Sequence, residues 1–171
     1  MRLSGEPTAQ RTGPGDNFAA LSPVCATMRR MTPELPEALS ELPLDDPETQ
    51  SDVVDLLLSV EDRRSGALAL LVCDSAHRPV QPVVVADIPE EAEPQRLVAL
   101  LDLLFPMLAE DEGSVLFARG RRRGPSPTDL DRSWHQAVID AARRHGVRLL
   151  GFHVATPAGV VALPEALGAA S

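Results

Sequence analysis

The sequence predicts an α/β fold: a single mixed sheet with flanking helices, in the order α-β-β-α-β-α-β-β. Three observations carry that expectation. Two apolar runs of strand length, 67–73 (ALALLVC) and 80–88 (VQPVVVADI), flank the turn chemistry of 74–79 (DSAHRP) and so describe a hairpin. Two longer stretches, 93–110 and 128–145, repeat large apolar residues at the three- and four-residue spacing of amphipathic helices. Two more short apolar runs follow the second helix. A mixed sheet with helices packed on it is the economical arrangement of that order.

The first helix is expected over 51–66, with Ser51 as its N-cap ahead of Val53, Val54, Leu56, Leu57, Leu58 and Val60, and Gly66 as its stop. In the second strand Pro82 lacks an amide donor and belongs at an edge or a bulge. Leu97, Leu100, Leu101, Leu104 and Leu108 form the apolar face of 93–110, and Pro106 is expected to kink that helix or end it early. If the strands on either side of this helix are parallel, it is a right-handed crossover. Residues 114–118 (SVLFA) read as a short strand and 119–127 (RGRRRGPSP) as a loop. The next helix has Ser126 or Thr128 as N-cap, Asp129 and Asp131 at its positive end, and Arg143, Arg144, His145 and Gly146 at its close. Leu130, Trp134, Val138 and Ala141 form its apolar stripe. Strands at 147–155 and 160–163, joined by a turn, complete the order.

With 171 residues, 44% hydrophobic and 24% charged, the chain suits one folded domain. Aromatics make up 3%, with one Trp and no Tyr, so the core must be aliphatic. Residues 1–48 hold seven of the sixteen prolines and read as a disordered tail. Met28 and Met31 suggest an internal translation start that would make 1–27 a mis-assigned leader. The domain is expected over 49–165, with 166–171 frayed.

The net charge of −9 is segregated: −10 over 34–62 and −7 over 85–112, against +5 over 113–150. Every basic residue is Arg, which reads as the codon bias of a GC-rich genome. Overall acidity argues against a nucleic-acid coat, and no run of 18 apolar residues offers a membrane span. Cys25 and Cys73 have no metal-ligand spacing and read as free thiols of a cytoplasmic protein.

Four arginines within 119–123 (Arg119, Arg121, Arg122 and Arg123), next to a helix N-terminus, could hold a phosphate or carboxylate. The competing reading is a solvated loop, or pairing with the acidic 34–62 segment. That acidic segment could itself dock on a partner. No nucleotide-binding glycine motif and no nucleophile elbow occurs. His135 is expected at the surface beside Asp131, His145 at a helix C-terminus, His77 exposed in the hairpin turn, and His153 in a structural strand position. Cys73, inside a strand, lacks the electropositive setting that makes a nucleophile.

Ser126-Pro-Thr-Asp129 and Gly146-Val-Arg-Leu-Leu150, within the segment 126–163, resemble the C-terminal half of RadC proteins, a branch of the JAB/MPN metalloprotease-like superfamily. The element order over 67–164 suits the same fold. The resemblance implies two histidines on the strand before the loop and an aspartate at the helix start as zinc ligands, with a separate Glu as general base. At the family's spacing from Asp129 the histidine positions fall on Leu116 and Ala118, and neither can ligate a metal. Ser126 and Asp129 are then expected as a helix cap, with no catalytic residue, no metal and no cofactor. The expected function is a non-catalytic interaction or scaffold module with an unidentified protein partner and no membrane or nucleic-acid role. The alternatives are an anion-binding regulatory domain using Arg119, Arg121, Arg122 and Arg123, and behind that a cryptic hydrolase.

Overall fold

The structure is a computed structural model that describes the backbone of residues 30–31 and the whole of residues 34–164. Its elements are β1 (Arg30–Met31), α1 (Glu37–Ser40), α2 (Pro47–Leu57), α3 (Val60–Ser65), β2 (Ala67–Cys73) and β3 (Pro79–Ala86). They continue with α4 (Gln95–Glu110), β4 (Ser114–Gly120), α5 (Asp129–His145), β5 (Arg148–Thr156) and β6 (Gly159–Leu163). The fold is α/β. One mixed sheet has the strand order β1-β3-β2-β4-β5-β6, in which β1 adds only two residues at one edge.

The β2–β3 hairpin is antiparallel, and β2 also pairs antiparallel with β4. β3 and β4 therefore point the same way with β2 between them, and α4 connects two parallel strands. A second parallel connection, through α5, joins β4 to β5, and β6 folds back antiparallel on β5. Pro82 pairs opposite Leu71 beyond the short reach of β1, so its missing donor falls on an open edge.

Alternation along the strands splits the core into two layers. Leu68, Leu70, Val115, Phe117, Phe152 and Val154 face α4 and α5, where they meet Leu101, Phe105, Trp134 and Val138. Ala67, Ala69, Leu71, Leu116, Ala118 and Ala155 face the other side, under Val53, Val54, Leu57 and Leu58. Burial on both faces explains why β2 is an unbroken apolar run rather than an alternating one.

Several expectations need correction. The helix expected over 51–66 begins earlier and is broken in two. Asp46, not Ser51, is its N-cap, accepting from the Thr49 amide at 2.9 Å with Pro47 in the first turn. Ser51 lies inside α2 and donates to the Pro47 carbonyl. The chain restarts at Ser59, whose capping box with Asp62 opens α3. Arg63, buried, holds this joint together: it donates to the Leu58 carbonyl at 2.9 Å and the Thr156 carbonyl at 3.1 Å.

The tail expected to be disordered over 1–48 lies outside the described residues at 1–29 and 32–33, as do Cys25 and the proposed start. Over 34–48, however, the chain forms α1 and buries Leu44 completely, so the domain begins before residue 49. The frayed tail of 166–171 also lies outside the described residues. Pro106 does not end α4; it sits on the helix's exposed side, where the Asp102 carbonyl it deprives of a partner faces water. β4 runs two residues further than expected, to Gly120, with all seven residues buried. No helix among the described residues is long and apolar enough to cross a membrane.

At the α3–β2 junction Gly66 has φ +87°, and a Cβ there would lie 2.0 Å from the Ile88 carbonyl oxygen. That oxygen is part of backbone, and Ile88 donates its amide to the Gly66 carbonyl at 3.0 Å, so neither side can yield. Gly66→Ala is expected to lower unfolding free energy by about 2–4 kcal/mol, combining left-handed strain with the clash. Urea denaturation of the variant beside the wild type checks this.

Candidate functional site

The arginine run divides between interior and surface. Arg119, at the end of β4, and Arg121, just after it, are buried and share the fully buried carboxylate of Asp131 in the first turn of α5. Arg121 also donates to the Gly124 carbonyl at 3.0 Å and the Ser126 carbonyl at 2.6 Å, which pulls the loop onto its own side chain. Arg119 donates to the Glu90 carbonyl at 2.7 Å and lies over the Trp134 ring, 5.6 Å from its centroid. Burial pushes the Asp131 carboxyl up, but hydrogen bonds from Thr128 and Arg119 and the charge of Arg121 override it and hold its pKa below the ordinary carboxylate range. The arginines expected to pair with the 34–62 segment are thus satisfied by an aspartate ten to twelve residues ahead. Arg122 and Arg123 stay exposed.

The same carboxylate settles the cap. Thr128 accepts from the Asp131 amide and Asp131 accepts from the Thr128 amide, a capping box that excludes the expected Ser126–Asp129 pair. Ser126 contributes its backbone carbonyl to Arg121 instead. Asp129 is the first residue of α5 and its exposed carboxylate accepts from Arg132 at 2.8 Å. Leu116 and Ala118 are buried in the layer under α2 and α3. No group of three or more His, Cys, Asp or Glu side chains among the described residues is placed to hold a metal ion.

The histidines separate by environment. His135, expected at the surface, is buried and stacks on Phe152 with ring centroids 5.0 Å apart. The helix turns that face into the sheet, and Asp131 is already taken by the arginines. His145 shares the Asp102 carboxylate with Arg144, tying the end of α5 to α4, and the hydrogen bonds from these two residues hold Asp102 below its usual pKa. His77, expected exposed, is half-buried and bonds Asp45 at 2.5 Å. Burial pushes the Cys73 thiol up to about 12, with Asp74 adding to it, so it is no nucleophile at neutral pH.

His153 is different. It is 0% exposed, and neither ring nitrogen has a hydrogen-bond partner. Burial pushes its pKa down to about 4; the nearby Pro47 and Phe117 backbone opposes this but does not bond the ring. The imidazole is therefore neutral at pH 7. It borders a cavity of about 450 Å³ between the start of α2 and the β5–β6 pair, lined among others by Leu44, Gln50, Arg148, Leu150 and Leu163. Gln50, buried, donates to the Leu44 and Leu150 carbonyls at 2.9 and 3.2 Å and so pins α2 to β5. A smaller cavity of about 190 Å³ borders Arg64, Glu90, Arg119, Arg121 and Arg122.

No family model, curated protein or solved structure matches this chain. What the site can do is therefore argued from its own chemistry. The His153 cavity escaped sequence reasoning because its walls come from positions about 100 residues apart; the one signal was a histidine in the middle of an otherwise apolar strand.

The unpartnered imidazole gives stability a definite pH dependence. Above about pH 6.5, the ordinary histidine value, the ring is neutral folded or unfolded and contributes nothing. As pH falls toward about 4 the unfolded chain takes up a proton that the folded chain refuses, so stability drops, by about 3 kcal/mol at the limit. Asp131, held below its model value of 3.8, adds a loss only below that pH. Denaturation midpoints measured from pH 8 to pH 4 are expected to fall in that upper window for the wild type, and His153→Leu to flatten the fall.

Proposed function

We propose that this chain is a cytoplasmic, non-catalytic α/β module, RadC-like in topology and degenerate at the metal positions, that works through protein–protein contact. The observation that carries this reading is the condition of the three positions where the resemblance would put zinc ligands. Leu116 and Ala118 are packed into the core, and Asp129 turns its carboxylate to water and to Arg132. A catalytic zinc needs about three converging protein ligands and one open position, and these residues offer none of that arrangement.

What the fold does offer a partner is an edge. β6 pairs with β5 on one side and with no other described strand on the other. It carries neither charge nor proline, and Val161 on it is 38% exposed. Edge strands normally carry lysine, proline or a bulge that blocks pairing. A bare apolar edge suits an extended segment of another protein added as a further strand. After dialysis against zinc-free buffer the purified chain is expected to retain no stoichiometric zinc and to cleave no peptide or isopeptide; one zinc per chain overturns the reading. Val161→Lys is expected to keep the thermal midpoint within about 2 °C and to lose a partner that the wild type captures.

One observation favours a second reading, anion binding. Arg64 and Arg122 come from separate elements, are exposed, form no ion pair, and line the same small cavity above the buried Arg119 and Arg121. Inorganic phosphate is expected to raise the melting temperature of the wild type and not of Arg64→Ala/Arg122→Ala. Equal shifts in both remove this reading.

A further inference from the structure

We propose that the cavity between the start of α2 and the β5–β6 pair binds a small, elongated organic carboxylate, with Arg148 taking the carboxylate at the mouth and His153 hydrogen-bonding a second polar group at the floor. The proposal is independent of the interaction reading and of the zinc positions, which lie elsewhere on the sheet.

The floor is built around an absence of side chain. A Cβ on Gly151 would lie 2.4 Å from Gln50 Oε1 and 3.2 Å from His153 Cε1, so only glycine leaves that space open. The Cε1 edge of the imidazole, with a nitrogen on each side, faces this gap. Gln50 spends its amide group on the Leu44 and Leu150 carbonyls, and its Oε1 accepts no hydrogen bond. Two neutral polar groups, one fully buried, therefore line one cavity without partners. An unpartnered buried polar group is costly, and native structures rarely keep one without a ligand or water to satisfy it.

The mouth supplies the charge. Arg148 lines the cavity, is exposed, and forms no ion pair or hydrogen bond. The other charged residue of the lining, Asp45, is already bonded to His77. The positive end of the α2 dipole, at Pro47, adds to the preference for an anion. Leu44, Leu150 and Leu163 provide apolar wall between mouth and floor. Five residues of strand separate Arg148 from His153, about 16 Å along β5, and the arginine's own length shortens the gap a ligand must span. That favours a rod-shaped acid with an apolar middle and a polar far end, and the cavity is in the size range that takes a small organic molecule.

The test uses the full chain, uniformly labelled with nitrogen-15, and follows the His153 ring nitrogens by NMR. Four probes are titrated: phenylacetate, 4-hydroxycinnamate, indole-3-acetate and octanoate, each with its neutral amide as control. At least one acid is expected to shift the His153 signals saturably with a Kd of about 1 mM or better, with 4-hydroxycinnamate ahead of octanoate because only it carries a far polar group. The amides, and Arg148→Gln, are expected to weaken binding about tenfold or more. His153→Leu is expected to raise the melting temperature, because it removes an unsatisfied group, while abolishing the shift of the Gly151 amide on titration. A lowered melting temperature in His153→Leu would mean that the ring has an internal structural partner, and overturns the proposal. So does the absence of a saturable shift with all four acids, or equal binding of acids and amides. His153 signals that move when residues 165–171 are deleted, with no compound added, would put the chain's own tail in the cavity and overturn it as well.

Discussion

One buried carboxylate holds the α4/α5 side of this molecule in register. Asp131 receives Arg119 from β4, Arg121 from the following loop and the amide of Thr128 at the helix start. Through Arg119 it also reaches the Glu90 carbonyl in the β3–α4 connection. Two guanidiniums on one carboxylate leave a net positive charge in the interior, an arrangement that survives only because backbone carbonyls take the remaining donors. Breaking such a cluster at one partner costs about 3–5 kcal/mol, since a charge is then left buried alone, whereas the intact cluster gives little net stability over an apolar equivalent. Its contribution is therefore geometric. It fixes where α5 begins, turns His135 inward against Phe152, and sets Trp134 so that its Nε1 donates to the Ala92 carbonyl at 2.9 Å.

The two sides of the sheet are built to different thickness. Toward α4 and α5 the strands present Leu, Val and Phe, and the helices answer with Leu, Phe and Trp. Toward α2 and α3 they present mostly alanine, so those helices settle close and need polar fastenings, Arg63 at the α2–α3 joint and Gln50 near the start of α2. The pairing of β4 with β5 slips between Val115 and Leu116, opposite Leu149 and Gly151. A bulged strand with a glycine beside it leaves less side chain under the start of α2. The larger cavity lies there, and its position follows from the slip in register together with the small side chains around it.

Apolar period and turn chemistry made the five full strands and the two long helices legible from the sequence, because burial of a repeating face is a local property. The errors fall where charge was read as exposure. Arg119 and Arg121 looked like loop because arginine is rarely interior, yet a Thr-x-x-Asp box at 128–131 stood in the sequence and marked the helix start that buries their counter-ion. Choosing Ser126 and Asp129 instead followed the resemblance rather than the capping chemistry. Leu44 was lost in a proline-rich stretch, although a lone leucine flanked by prolines and aspartates gives no periodic signal to find. For the cavity, only His153 was visible; Gln50, Gly151 and Arg148 acquire meaning once α2 is laid across β5.

The distribution of charge constrains every role open to this surface. Among the described residues three arginines, Arg63, Arg119 and Arg121, are buried against two acids, Asp62 and Asp131. The exterior is accordingly more acidic than the formal −9 implies. An anionic ligand approaches against that field until it comes within about 8 Å of an exposed arginine, the screening distance at physiological salt. Raising salt should then speed its arrival and weaken its final ion pair, opposite effects on rate and affinity that a site made of one arginine and one neutral imidazole cannot avoid. A partner strand added at β6 meets no such opposition, because that edge is uncharged. Salt therefore acts as a physical separator: it leaves backbone pairing at the edge almost untouched and reports on Arg148 alone.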